Sequence, residues 1–486
     1  MPKFVTFIVL VIFGTFIYFS GYFTFGSQSA DILLRENYPD GLHVIPVENY
    51  GYAPILKSFI DNATSSIFVA TLELSDYYPV SVILDSLIKA HNRGVDVKVL
   101  YEGDISSNKY GASYLRDHGV DVKNDSSPLF LHTKLVIVDS EVVYVGSHNW
   151  SPHAFEKNNE YGVFVLNSSV GEYFTRYFNS LWSDSNRTPD MGSLEVSDGN
   201  ISMICTYDGY TYHPIKDLLE SASNRLYVAM YTMGYYTNPT SEAEVRVNNL
   251  VDSIVSKREI SSVVLDDHDS DDAYNYLTDS NVDVRKDSSS FITHLKLVVS
   301  DDSVYVGDTN WDTYYIDNST HTVGVVIRNS TVADFFAGYF KVIQKYGDAP
   351  YYIADPMLEK WYYSVLPGEN LKIDFRIANG GYKNQTTFHI DFYGDLNAVF
   401  DSDPSFSRND VYEWYAGNIS VDTSGAQGLH SLMITYYSQD YNINISFYIV
   451  VNIVEPVPEF IPDFSSIMVL LMSFIILGGR RVRKRS

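Results

Sequence analysis

Apolar positions along this chain follow two alternating periods, and the alternation predicts strand and helix in turn. Residues 54–63 carry amphipathic helical spacing and lead into a β-branched apolar run over 67–74. Val80, Ile83, Leu84, Leu87 and Ile88 mark one face of a helix ending near Arg93, with Gly94 placed to close it. Residues 95–101 alternate as a strand, and 111–118 fit a short helix. Residues 135–138 and 142–145 read as two buried strands joined by a turn at Asp139-Ser140-Glu141. A further strand over 160–165 and a helix over 171–182 complete the set.

The same order then returns. Residues 226–229 match 67–70, and 245–254 supply the next helix. Val282-Asp-Val-Arg-Lys-Asp-Ser-Ser aligns without a gap on Val120-Asp-Val-Lys-Asn-Asp-Ser-Ser. Phe336, Tyr339 and Phe340 repeat Phe174, Tyr177 and Phe178 in the closing helix. This is an internal duplication at an offset of about 160 residues. It predicts an α/β fold made of two units, 44–190 and 200–347, each an α/β sandwich with a mixed sheet. Over 351–455 helical periodicity is absent and alternating runs are separated by turn residues, so a C-terminal β-sandwich module of immunoglobulin-like type is expected.

Both ends are hydrophobic. The run over 4–25 makes 1–30 a signal peptide or N-terminal anchor. Within 464–486 an apolar span precedes Arg480, Arg481, Arg483, Lys484 and Arg485, a basic tail that points to the cytoplasm and leaves the body outside. The formal charge of −26 argues against a protein that wraps nucleic acid. Asn-X-Ser/Thr triplets, among them those at Asn62, Asn167, Asn186, Asn200, Asn318, Asn329, Asn384, Asn418 and Asn444, suit a glycosylated surface protein, although a chain rich in these residues also produces them by chance. Cys205 is the lone cysteine, excludes an intramolecular disulfide and reads as a core residue.

The candidate chemistry lies in one short stretch and its copy. Residues 131–149 hold His132, Lys134, Asp139, Gly146, Ser147 and Asn149; the second unit holds His294, Lys296, Asp301, Gly307 and Asn310. Two residues apart on a strand, each histidine and its lysine should project from one face. Paired about a pseudo-two-fold, the units would set two imidazoles on opposite sides of one phosphodiester. One ring would attack phosphorus and the other protonate the leaving oxygen, with Lys134, Lys296, Asn149 and Asn310 on the nonbridging oxygens. Two lysines supply the positive charge, so neither metal nor cofactor is required.

His-x-Lys-x4-Asp followed by Gly-Ser-x-Asn resembles the signature of the phospholipase D superfamily, and the duplication resembles its two-motif members. The resemblance spans residues 44–347 and implies a phosphodiester hydrolase working through a phosphohistidine, with His132 as nucleophile and His294 as general acid. Asp139 and Asp301 complete the catalytic signature and read as orienting or structural residues rather than proton carriers. Glu160 matches the downstream acid that orients a histidine; a plain salt bridge is the alternative. The second copy departs from the pattern: Asp308 replaces serine, Thr322 stands where Glu160 aligns, and the turn after Asp301 is one residue shorter. Pro458-Glu459-Phe460, the apolar span and the basic tail resemble the tripartite sorting signals processed by archaeosortases.

The expected partner is therefore a phospholipid or other phosphodiester, cleaved or transferred at the outer face of the cell membrane. A metal-independent nuclease is the runner-up, disfavoured by the acidic balance. A non-catalytic surface protein with a degenerate second site is the alternative from another class.

Overall fold

The computed structural model describes residues 41–346, apart from 50–51, 126, 200, 269, 288–291 and 318, and parts of 357–454. Both terminal hydrophobic runs, with the expected signal peptide, sorting signal and basic tail, lie outside the described residues. Among those described, no helix is long and apolar enough to cross a membrane.

The first unit runs β1 (His43–Glu48), α1 (Tyr52–Asn62), β2 (Ser66–Thr71), α2 (Val80–Asn92), β3 (Asp96–Glu102), α3 (Asn108–Asp117), β4 (Asp121–Asp125), β5 (Phe130–Leu131), β6 (Lys134–Val138), β7 (Val142–Gly146), α4 (Pro152–Glu156), β8 (Tyr161–Leu166) and α5 (Ser168–Ser183). Its sheet is mixed, in the order β1-β8-β7-β6-β2-β3-β4. The strands β2, β3 and β4 are parallel, joined by helical crossovers, while β6, β7 and β8 form an antiparallel meander. Gly94 closes α2 at φ 95°, as its position predicted.

The second unit repeats this with β9 (Leu194–Asp198), β10 (Ile201–Tyr207), α6 (Tyr212–Ser221), β11 (Leu226–Met230), α7 (Glu242–Ser256), β12 (Ser261–Leu265), α8 (Asp271–Asp279), β13 (Asp283–Lys286), β14 (Lys296–Ser300), β15 (Ser303–Gly307), β16 (Thr320–His321), β17 (Val323–Arg328) and α9 (Ser330–Tyr346). Its sheet order is β13-β12-β11-β14-β15-β17-β10-β9. The extra edge strand β9 pairs with β10 and begins before residue 200, so the second unit starts slightly earlier than the repeat suggested.

One apolar core joins the units. Leu135, Val145, Val163 and Phe174 of the first pack in the same cluster as Leu297, Val306, Val325 and Phe336 of the second. A separate cluster lies on the outer side of each sheet. Each sheet is thus covered on both faces, which is why strands such as β6 and β7 carry unbroken apolar runs rather than alternating. The closing helices are capped alike: Asn167 Oδ1 accepts from Val170 N (3.1 Å) and Asn329 Oδ1 from Val332 N (3.1 Å). Two of the Asn-X-Ser/Thr triplets therefore have a structural reason to be present.

The C-terminal module holds β18 (Met357–Leu358), β19 (Tyr362–Val365), β20 (Leu371–Ala378), β21 (Phe388–Gly394), β22 (Asn397–Phe400), β23 (Trp414–Asp422), β24 (Gly428–Ser438) and β25 (Ile443–Ile453). They form two four-stranded sheets, β18-β20-β23-β22 and β19-β25-β24-β21, in keeping with a β-sandwich.

Candidate active site

The units meet along two equivalent seams. Strand β5 runs parallel to β16, with Phe130 opposite Thr320 and Leu131 opposite His321, and Asn159 forms the matching parallel bridge with Thr293. His132 N donates to the His321 carbonyl (3.0 Å), and His294 N donates to the Asn159 carbonyl (3.0 Å). Each catalytic stretch is therefore held by the other unit, as the pseudo-two-fold required. One detail differs from the sequence reading: β6 starts at Lys134 and β14 at Lys296, so each histidine sits just before its strand rather than on it. The lysine is still tied to its histidine, because Lys134 Nζ donates to the His132 carbonyl (2.6 Å) and Lys296 Nζ to the His294 carbonyl (3.2 Å).

His132, Lys134, His294 and Lys296 are all buried and electrostatically one cluster. Burial, then the two lysines, pushes both imidazoles well below the ordinary histidine range. Burial lowers Lys134 to about 8, and burial together with Lys134 lowers Lys296 to about 7. Each lysine would regain its proton affinity beside a bound anion, which is the behaviour expected of a site built for a phosphate group. Tyr231 lies edge-on to His294 (ring centroids 4.9 Å) with Lys296 Nζ 4.9 Å from the Tyr231 ring centroid; Tyr315 tilts against His132 (4.6 Å). Neither aromatic was singled out in the sequence.

Glu160 is fully buried and reaches across to the second unit. His294 Nδ1 lies 3.0 Å from Glu160 Oε2 and 3.1 Å from the Ser147 carbonyl. Both partners are acceptors, so Nδ1 carries the proton and Nε2 is left with its lone pair. Ser147 Oγ and Asn158 Nδ2 (3.0 Å) also donate to Glu160, whose carboxyl burial pushes up to about 7. Glu160 is thus a histidine-orienting group, and Ser147 acts through it and through its main chain.

Asp308 is turned to the main chain. Its two oxygens accept from Val323 N (2.9 Å) and from Lys134 N across the seam (3.1 Å). Burial raises it to about 7, opposed by Lys134. Asn310 is buried and Asn149 half-buried, and the side-chain oxygen of each has no hydrogen-bond partner among the described residues.

The two signature aspartates require a correction: they do not join the histidines. Asp139, at φ 54°, lies at the far end of β6 and accepts from the amides of Thr64, Ser65 and Ser66 at 2.7–2.9 Å. Asp301, at φ 48°, does the same for Ser223, Asn224 and Arg225 at 2.8–3.0 Å. Burial works against the Asp139 charge, yet these amides hold its carboxyl below the usual range. They brace the turn below the strand. Gly146 is explained by close approach: a Cβ there would collide with the Tyr144 hydroxyl and the Tyr161 carbonyl, and Gly307 is crowded in the same way by Tyr305.

Several supporting residues gave no signal in the sequence. Glu102 Oε2 accepts from Leu131 N (2.7 Å), and Asp266 Oδ2 accepts from Thr293 N (2.7 Å), each fixing the residue before a histidine. Asp266, Asp267 and Asp287 lie close enough together to suggest a cation site, but Asp287 also accepts from Thr293 N (3.0 Å) and is pushed up to about 8 by burial and by Asp266. The two carboxylates together hold Thr293 N, the amide just before His294. Under His132, Asp208 Oδ2 pairs with His321 Nδ1 (3.1 Å) and Asp208 Oδ1 accepts from Tyr177 (2.8 Å); the equivalent Asn49 accepts from Tyr339 (2.9 Å). Buried Cys205 takes no part.

Residues 56–182, within the first unit, match the family described as cardiolipin synthase, PLD-like domain. The chain is 32% identical over 99 residues to the mitochondrial cardiolipin hydrolase of Homo sapiens, covering 20% of this chain and 39% of that protein. It is 30% identical over 137 residues to phospholipase D of Rickettsia typhi, covering 28% of this chain and 65% of that protein. Among solved structures, Nuc from Salmonella typhimurium, a phospholipase D family member, aligns at 26% identity and a TM-score of 0.26 over 29% of this chain and 95% of its own. The chain thus spans about two-fifths to two-thirds of the curated relatives it matches. Residues 56–182 are thus a phospholipase D-like domain, and the second His-x-Lys motif, brought to the first across an internal repeat, extends the likeness to the second unit.

Proposed function

We propose that this protein is a phosphodiesterase that removes or transfers phospholipid headgroups at the outer face of a membrane, to which its hydrophobic ends tether it. The observation that carries the reading is the cross-unit bond from His294 to Glu160, set beside two buried lysines. It orients one ring for attack and places cationic and amide groups from both units around a single anion. One imidazole displaces the leaving alcohol from phosphorus; the other protonates that alcohol and then activates the water, or second alcohol, that resolves the phosphohistidine. Asn149 and Asn310 present amides to the nonbridging oxygens. Asp308 is spent on two backbone amides, so it does not argue for a dead second half.

The test is release of labelled headgroup from phospholipid vesicles by a chain lacking residues 1–30 and 464–486, in the presence of EDTA, beside nicking of supercoiled plasmid. Headgroup release without nicking is the expected result. Nicking without release would move the substrate to nucleic acid, and neither activity would leave a non-catalytic surface protein.

A further inference from the structure

In each unit two positions back the histidine of the other unit: one in the loop after the glycine, one at the entry to the last central strand. The first unit fills them with Ser147 and Glu160, the second with Asp308 and Thr322. Hydroxyl and carboxylate have changed places. The loop positions are bonded alike, since Tyr161 N donates to Ser147 Oγ (3.1 Å) and Val323 N to Asp308 Oδ1 (2.9 Å). The outcome at the rings is not alike. Glu160 reaches His294 Nδ1 at 3.0 Å, whereas Asp308 is occupied by the amides of Val323 and Lys134. Thr322 Oγ1 is buried with no hydrogen-bond partner among the described residues, and the His132 ring, backed by the Asp308 main chain as His294 is by that of Ser147, has no carboxylate on Nδ1.

We propose that this exchange assigns the catalytic roles, making His294 the nucleophile and His132 the proton carrier. The assignment rests on the phosphodiesterase reading and reverses the one that the family resemblance implied. A nucleophilic imidazole needs its Nε2 lone pair free, hence a proton fixed on Nδ1; the Ser147 carbonyl and Glu160 fix it on His294. Attack by His294 Nε2 forms an N–P bond and breaks the bond from phosphorus to the leaving oxygen, which takes the Nε2 proton of a His132 imidazolium, the charge state that the bound phosphodiester anion favours. The ring is then a phosphoimidazolium, and its positive charge lies against the Glu160 carboxylate. Water next attacks phosphorus, gives a proton to His132 Nε2, and the N–P electron pair returns to His294. Both rings lie beside the two lysines, so the difference is the carboxylate: without one on Nδ1, the His132 imidazolium gives up its proton more readily than His294 would.

Bis(p-nitrophenyl) phosphate separates the roles, because its leaving group needs no proton. Wild type should turn over. His132→Ala should release about one nitrophenolate per chain and then stall, with mass spectrometry of protein quenched in denaturant at alkaline pH finding the phosphoryl group on the His294 peptide. His294→Ala should show no burst, at least about a hundredfold below the other variant. Asparagine replacements serve if alanine prevents folding. Glu160→Gln in the His132→Ala background, which keeps an acceptor and removes the charge, should slow the burst about tenfold at unchanged melting temperature. A burst in His294→Ala with the adduct on His132 overturns the assignment while leaving the phosphodiesterase reading intact. No nitrophenolate from wild type would overturn both.

Discussion

The two half-sites are built from one plan and have settled the support of their histidines differently. Backbone placement is conserved between them: both seams are parallel bridges, both lysines bond their own histidine carbonyl, and both strands end on an aspartate that braces a turn. The hydrogen-bonding around the rings is not conserved. Each ring has an aromatic neighbour, but His294 has a buried carboxylate on Nδ1, while His132 has a buried Asp208–His321 pair beneath the chain that carries it. In that pair, burial opposes the charged ring, but the bond and charge of Asp208 raise His321. The lesson is that the duplication kept the backbone positions around the two histidines while one acid and one hydroxyl exchanged places beside the rings.

This comparison breaks most sharply when an imidazole is lost. With a natural phospholipid, whose leaving alcohol needs a proton, His132→Ala and His294→Ala should each lower kcat at least about 10³-fold, measured as headgroup release. Removing a lysine should come next. Lys134→Ala or Lys296→Ala should lower kcat/KM about 10²–10³-fold, because each deletes a preorganised charge at the transition state. The pH profile follows from the same groups. Lys296 at about 7 and Lys134 at about 8 are charged only below those values in the free protein, so kcat/KM should fall as pH rises through 7–8. A profile that climbs over that range would contradict the role of the lysines. The smallest effect on chemistry is expected at Asp139. Its replacement by alanine frees three amides and should cost about 1–3 kcal/mol of stability, read from denaturant midpoints, with kcat in the folded fraction unchanged.

How much of this was legible in the sequence depended on the distance over which each residue acts. His132, Lys134, Asp139 and Ser147 sit in one stretch, and their repeat near His294 exposed both the duplication and the paired site. The strands were readable because β6, β7, β14 and β15 each carry an unbroken apolar run of three or more residues, a pattern that a sheet covered on both faces imposes. Asp308 could be flagged as a departure, but its direction is set by Lys134 N, a backbone group 174 residues away that only docking of the units brings near. Tyr231 and Tyr315 stand outside the motifs, and Asn49 and Asp208 adopt φ 39° and 45° to reach their partners; no periodicity marks such positions. The signature aspartates could be read as structural rather than proton-carrying because the length of the strand carries them to the other end of the sheet from His132 and His294.

The central claim is that the two units share one anion site. Calorimetric titration with tungstate, a phosphate-shaped dianion, tests it without knowledge of the substrate. One tungstate should bind per chain, and either Lys134→Ala or Lys296→Ala should weaken that single event; two ions per chain, each lost with a different lysine, would contradict it.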